Sequence, residues 1–244
     1  MEFSKDLINL VRSANSAAAL TGAGISAESG VPTFRDTQSG LWAKYDPLKL
    51  ATPEAFVENP QLVWAWYNWR RQLIEEAVPN PGHCALTDFE REYSDFTIIT
   101  QNVDGLHKRA GSNNILELHG NIYRSRCWQD DERFDEFTSF GEPIPTCPNC
   151  GSLLRPDVVW FGERLPAKEF QLAVEAARNC DLFFSIGTSA AVHPAASLIP
   201  EAKKWGARVV EINIRPSELA NLADFLLVGR SGQILPNLYT EAFN

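Results

Sequence analysis

Six apolar runs, at residues 17–20, 95–100, 115–118, 182–186, 208–213 and 225–228, limit what this chain can fold into more than any other feature. Most are continuous rather than alternating, as strands buried on both faces must be. Between them lie segments with helical spacing of apolar residues: 4–15, carrying Leu7, Leu10 and Val11, then 83–92, 167–179 and 194–204. This βα rhythm predicts an α/β fold on a doubly wound, Rossmann-like parallel sheet. Two stretches interrupt it. Residues 35–80 read as a helical insertion, and 123–157, with Cys127, Cys147 and Cys150 among short polar and Pro-rich pieces, read as a small module. The Rossmann-like part is then 1–34, 81–122 and 158–244.

Open α/β sheets place their chemistry just beyond the carboxyl ends of strands. There this chain sets Thr21-Gly22-Ala23-Gly24, Gln101-Asn102-Val103-Asp104, His119-Gly120, Gly187-Thr188-Ser189 and Asn213. Gly22, Gly24 and Ala27 fit G-x-G-x-x-G/A, a turn whose outward N–H groups attract a pyrophosphate; a plain tight turn is the alternative. The ordinary dinucleotide fingerprint also needs an acidic residue ending a second strand about 20 positions on. Here Gly40, Trp42, Pro47 and Pro53 follow, which read as loop and short helix. An aromatic and a cation, Phe34 and Arg35, come soon after the turn instead, so any nucleotide site is a variant one.

Composition narrows the function classes. A net charge of -9 with scattered acidic residues argues against nucleic acid, which needs a basic face, and suits lysine-bearing substrates modestly better. No stretch approaches a membrane span and the amphipathic start has no apolar signal core, so a soluble, cytoplasmic protein is expected. Five cysteines, an odd number, suggest a reducing compartment and a metal rather than a disulfide framework, with Cys84 and Cys180 expected to be structural. Within the helical insertion, Leu62, Trp66, Trp69 and Leu73 form one stripe, expected to be core. Val63, Tyr67, Arg70 and Ile74 form a second, while Asn68, Arg71 and Glu75 are expected to face solvent. Arg70 stands out as a guanidinium among apolar neighbours.

The ordered set Gly22-Ala23-Gly24-Ile25-Ser26, Pro32-Thr33-Phe34-Arg35, Thr100-Gln101-Asn102-Val103-Asp104, Glu117-Leu118-His119-Gly120, Cys147-Pro148-Asn149-Cys150, Val159-Trp160-Phe161-Gly162-Glu163, Gly187-Thr188-Ser189 and Asn213 resembles the sirtuins, NAD-dependent protein lysine deacylases. The resemblance runs from about Leu20 to Leu235. It implies that NAD is consumed: the acyl-lysine carbonyl oxygen attacks C1′ of the nicotinamide ribose, nicotinamide leaves, and an alkylimidate collapses to free lysine and O-acyl-ADP-ribose. By the same resemblance His119 is the general base on a ribose hydroxyl, a task that suits imidazole's pKa of about 6.5. Asn102 and Asp104 would hold the nicotinamide end and Gln101 the ribose. Gly22, Ala23 and Gly24 would meet the pyrophosphate, and Phe34 and Arg35 would cover ribose and phosphates. Gly187, Thr188, Ser189 and Asn213 would serve the phosphate and adenosine ribose.

Val159, Trp160, Phe161, Gly162 and Glu163 would pair their backbone with an extended acyl-lysine peptide, the alternative being a core strand. Tyr67 and Arg70, on one helix face, resemble the pair with which desuccinylase-type (class III) sirtuins hold a succinyl, malonyl or glutaryl carboxylate. The alternative is an arginine whose stem covers apolar surface while its head reaches water. The family's zinc module has two Cys-x-x-Cys knuckles, and the segment 123–157 is expected to be zinc-ribbon-like. Here the first knuckle reads Cys127-Trp128-Gln129-Asp130, so Cys127, Asp130, Cys147 and Cys150 would form a Cys3Asp zinc set, or the site is weakened. The rivals on the same fold are an NAD glycohydrolase or ADP-ribosyltransferase, and a non-catalytic NAD or ADP-ribose sensor. Tyr67 with Arg70 argues against the first, His119 with Asn102 against the second.

Overall fold

A computed structural model describes residues 2–32, 46–135 and 144–244. Six strands, β1 (Ser16–Thr21), β2 (Asp95–Thr100), β3 (Ile115–Glu117), β7 (Leu182–Ile186), β8 (Arg208–Asn213) and β9 (Phe225–Val228), form one sheet in the order β3-β2-β1-β7-β8-β9. Every pairing in it is parallel. The order reverses between β1 and β7, the switch point at which a doubly wound sheet opens a crevice. Side chains alternate across it. Ala17 and Ala19 pack with α1 (Lys5–Ser13), α6 (Pro81–Glu92) and α10 (Ser231–Phe243) on one face. Ala18 and Leu20 pack with α8 (Ala167–Asn179) and α9 (Leu198–Lys204) on the other. Three short helices, α2 (Ala23–Ala27), α3 (Pro47–Leu50) and α7 (Leu106–Ala110), sit in the connections.

A second, antiparallel sheet, β5-β4-β6, is made by β4 (Gly120–Cys127), β5 (Arg133–Phe134) and β6 (Leu154–Val158). It shares one core with α4 (Pro53–Glu58) and α5 (Pro60–Glu75), in which Phe56, Trp66, Tyr67, Ile122 and Trp160 are buried together. Both helices start where the sequence caps them. The Thr52 hydroxyl accepts from the Ala55 N–H and the Asn59 side chain from the Leu62 N–H, each followed by a proline at the first helical position.

The buried face of α5 is the second stripe, Val63, Tyr67, Arg70 and Ile74, with Trp64 and Trp66 beside it. From the stripe expected to be core, only Trp66 is fully buried. Arg71, expected to face solvent, is 1% exposed. The reason lies in β4, whose register with β6 shifts between Gly120 and Ser125 and so frees carbonyls from the ladder. Arg71 reaches across to donate to Ile122 O and, at 3.5 Å, to Arg124 O, while its guanidinium lies 5.4 Å from the Trp64 ring centre. Cys84 is exposed rather than structural, whereas Cys180 is buried. Helix α10 escapes the sequence reading because Pro236 lies inside it. Among the described residues no helix is long and apolar enough to cross a membrane.

Candidate active site

A cavity of about 910 Å³ opens at the switch point, the size of a pocket for a cofactor-sized molecule. Its wall takes residues from the carboxyl ends of β1, β2, β7 and β8, from α5 and from the turn after β6. All the predicted site residues of the Rossmann-like part and of the acyl-peptide set line it, except Phe34 and Arg35, which fall outside the described residues.

The glycine turn differs from expectation. The Gly22 N–H donates to Ile186 O at 3.0 Å and the Gly24 N–H to Gly187 O at 2.8 Å, so neither is an outward donor. These glycines instead let two strand ends touch. A Cβ on Gly24 would lie 2.7 Å from Gly187, and Gly187, at φ +60°, leaves no room for one either. Ala23, exposed to the cavity between them, is the turn residue left for a ligand.

Beyond the turn, hydrogen bonds assign protons. His119 Nδ1 lies 2.9 Å from Gln101 O; since a carbonyl only accepts, Nδ1 carries the proton and Nε2 carries the lone pair. Burial pushes the His119 pKa down, partly offset by the Gln101 carbonyl, so the ring is a neutral base at neutral pH. Asn102 donates through Nδ2 to Gly22 O and to Ser26 Oγ, both at 3.1 Å, which leaves its Oδ1 as an acceptor. The Asn80 N–H donates to His83 Nδ1, so His83 Nε2–H points to Ser26 Oγ at 3.4 Å. Ser26 therefore accepts from both and gives its own proton to Asp104. Asp104 is 3% exposed, and burial raises its pKa despite the Leu106 N–H and Ser26 bonds.

The carboxyl ends of β7 and β8 are braced in the same way. Gln101 Nε2 donates to Thr188 Oγ1 at 3.0 Å, and Asn213 Nδ2 donates to Thr188 O at 2.8 Å. Gly187 N–H donates to Ile212 O, and Ser189 O accepts from Glu218 N–H.

At the other end, α5 brings Tyr67 and Arg70 to the cavity wall, 1% and 8% exposed. The hydroxyl of Tyr67 accepts from Trp160 Nε1 at 2.9 Å. Burial pushes the Tyr67 pKa up to about 12, and burial lowers that of Arg70, which still leaves a neutral phenol and a guanidinium cation at neutral pH. The solvated-arginine alternative does not describe Arg70, whose head is buried.

The segment 159–163 is a turn following β6 rather than a core strand. Its Val159, Trp160 and Phe161 N–H groups already donate, to His119 O, Glu163 Oε2 and Ala51 O. The Glu163 carboxylate turns inward to Arg155 and Arg126. Gly162, at φ +87°, is the N–H among these with no acceptor among the described residues.

Away from the cavity, Cys127, Asp130, Cys147 and Cys150 bring one donor atom each within 4.8 Å of one another. Zinc–sulfur bonds of about 2.3 Å and a zinc–carboxylate bond of about 2.0 Å put ligand atoms at such separations, and Cys127 Sγ to Cys150 Sγ is 3.5 Å. The set fits a structural zinc, with three thiolates and one carboxylate closing all four positions.

Several lining or bracing residues carried little sequence signal. Ser26 belongs to the glycine-turn motif but has no role assigned by the sequence, and only the fold brings it against Asn102, Asp104 and His83. His83, Thr21 and Thr100 have no role assigned by the sequence; the Thr21 and Thr100 hydroxyls lie 2.9 Å apart, and that of Thr100 accepts the Asn102 N–H.

Comparison with known proteins agrees with this geometry. The model of the Sir2 family matches residues 22–194. The NAD-dependent protein deacylase 2 of Pyrobaculum aerophilum is 50% identical over 236 residues, 97% of this chain and 94% of that protein. The NAD-dependent protein deacylase of Aquifex aeolicus is 51% identical over 221 residues, 90% and 92% of the two chains. Among solved structures, a Sir2 homologue in complex with NAD superposes with a TM-score of 0.91 at 41% identity, covering 99% of this chain and 94% of that one. A Sir2 protein bound to acetylated peptide gives 0.85 at 26% identity, covering 98% of each. The family model over residues 22–194 and these relatives establish that the chain belongs to the Sir2 family, the sirtuins.

Proposed function

We propose that this sirtuin, an NAD-dependent protein lysine deacylase, removes succinyl and malonyl groups as well as acetyl. One observation carries the acyl reading: a buried phenol and a buried guanidinium, Tyr67 and Arg70, line the same cavity as His119. A guanidinium fork and a phenol supply the donors that a carboxylate at the end of an acyl chain accepts.

In this reading NAD supplies a ribose carbon from which nicotinamide can depart. Asn102 Oδ1 and the Asp104 carboxyl face the nicotinamide end, held by Ser26. His119 Nε2 takes the proton of a ribose hydroxyl while Gln101 O steadies the ring through Nδ1. Gly187, Thr188, Ser189 and Asn213 receive the phosphates and adenosine ribose beside Ala23. Phe34 and Arg35 would cover the ribose and exclude water, which can be worth several kcal/mol of barrier. The acyl-lysine peptide runs past the turn 159–163, whose carbonyls and Gly162 N–H offer main-chain bonds that read no sequence.

The test offers one peptide bearing acetyl-, succinyl- or unmodified lysine with NAD, and follows peptide mass and nicotinamide. Both acyl peptides should lose their groups with equimolar nicotinamide release. Nicotinamide release independent of acyl-lysine, without deacylation, would instead mark an NAD glycohydrolase or ADP-ribosyltransferase.

A further inference from the structure

We propose that Trp160 is a positioning residue for acyl specificity: its indole N–H, donated to the Tyr67 hydroxyl, turns that hydroxyl's own proton toward the acyl carboxylate. This rests on the acidic-acyl reading of Tyr67 and Arg70.

The hydrogen bond fixes the direction of the phenol. An indole Nε1–H can only donate, whereas a phenolic oxygen can both donate and accept. At 2.9 Å from Trp160 Nε1, Tyr67 Oη is therefore the acceptor. A phenolic O–H prefers the plane of its ring, and the orientation facing the indole N–H is excluded. The proton takes the other side, and among the described residues nothing accepts it. Tyr67 thus presents a committed donor in a cavity wall that it shares with Arg70. Burial holds the phenol neutral, with a pKa pushed up to about 12, so the proton is there to be given. An acetyl group has no oxygen at the end of its chain to receive it; a succinyl or malonyl group does.

The indole itself is held on every side. The Arg155 guanidinium lies 3.4 Å from the Trp160 ring centre. Arg155 is clamped by both Glu163 oxygens, at 2.5 and 2.9 Å, and by Val158 O at 2.8 Å. Glu163 Oε2 also accepts the Trp160 N–H at 2.7 Å. Phe56 packs 5.5 Å from the indole. A cation stacked on the ring draws electron density from it, which strengthens Nε1–H as a donor, and the Tyr67 O–H beyond it is polarised in turn.

The experiment measures kcat and KM for one peptide in succinyl and acetyl form with wild type, Trp160→Phe, Tyr67→Phe and the double variant. Trp160→Phe keeps an aromatic ring under Arg155 and deletes the donor together with part of the indole's packing surface, a loss that falls on both acyl forms and so cancels in their ratio. It should lower the succinyl-to-acetyl ratio of kcat/KM by about five- to tenfold, mainly through KM for the succinyl peptide. In the Tyr67→Phe background the same change should leave the ratio where Tyr67→Phe put it, because the two residues act in series. An equal fall in both backgrounds, or an unchanged ratio in Trp160→Phe when Tyr67→Phe lowers it, overturns the proposal. If neither Tyr67→Phe nor Arg70→Met changes the ratio, the acidic-acyl reading fails and takes the proposal with it. A second readout needs no Trp160 variant: the indole proton resonance of Trp160 should move in Tyr67→Phe, and an unmoved resonance contradicts the relay.

Discussion

The two ends of the cavity are made of different materials. Where the switch point lies, the wall is backbone and short side chains, whose groups are satisfied by one another: Gly22 on Ile186, Gly24 on Gly187, Asn102 on Gly22 and Ser26, Asn213 on Thr188. Where α5 meets the turn after β6, the wall is two aromatic rings and a long cation, Tyr67, Trp160 and Arg70, all buried, with Arg155 stacked on Trp160. The first construction depends on how closely strands approach and, in the proposed reading, receives NAD. The second depends on individual side chains, and in the proposed reading it is here that one acyl group is told from another.

That contrast can be broken first at its midpoint. His119→Ala should lower kcat/KM by roughly 10²- to 10⁴-fold for acetyl and succinyl peptides alike, because in the proposed reading it is the general base for both. In the wild type the acid limb of the pH profile should fall below the ordinary histidine pKa of about 6.5, since burial lowers that of His119 and only the neutral ring can take a proton.

Beneath the switch point, two histidines set an acid limit on stability. Burial pushes His107 down to about 3, helped by the nearby His83, and pushes His83 itself down to about 4. Unfolded, both would bind protons near pH 6.5, so the unfolded state takes up more protons as pH falls. The stability they permit is complete above about 6.5 and is lost progressively toward pH 3, on the order of several kcal/mol. Denaturant titrations across that range check it, and the loss should be smaller in His83→Gln.

Gly187→Ala attacks the first construction directly. A Cβ there meets Ile25 N at 2.5 Å and sits at φ +60°. The left-handed conformation and overpacking together should cost about 2–4 kcal/mol, read as a lower Tm with weaker NAD binding. The same change should leave the preference between acyl groups unaltered, whereas changes at α5 should do the reverse.

The same contrast explains what the sequence made legible. Strands such as Asp95–Thr100, Leu182–Ile186 and Arg208–Asn213 match the predicted runs, since a strand buried on both faces reads as continuous apolar residues. The cavity residues at their ends follow from the same rule. Arg71 was misplaced because its acceptors are carbonyls freed by an irregularity in β4, far away in sequence. The inward turn of Glu163 was hidden for a similar reason: its partners include Arg126, on another strand. Ser26 could have been found only by knowing that β1 and β2 lie side by side, which brings Asn102 over the glycine turn. Periodicity reports which elements exist; polar networks depend on which of them become neighbours.

The most direct test of the account is the succinyl-to-acetyl ratio of kcat/KM in wild type and Arg70→Met, on a single peptide with saturating NAD. Removing a buried, charged hydrogen-bond donor should cost the succinyl peptide roughly 10- to 100-fold and the acetyl peptide little, so the ratio collapses. Equal losses on both peptides, or an unchanged ratio, would contradict a carboxylate-binding role for the α5 end of the cavity.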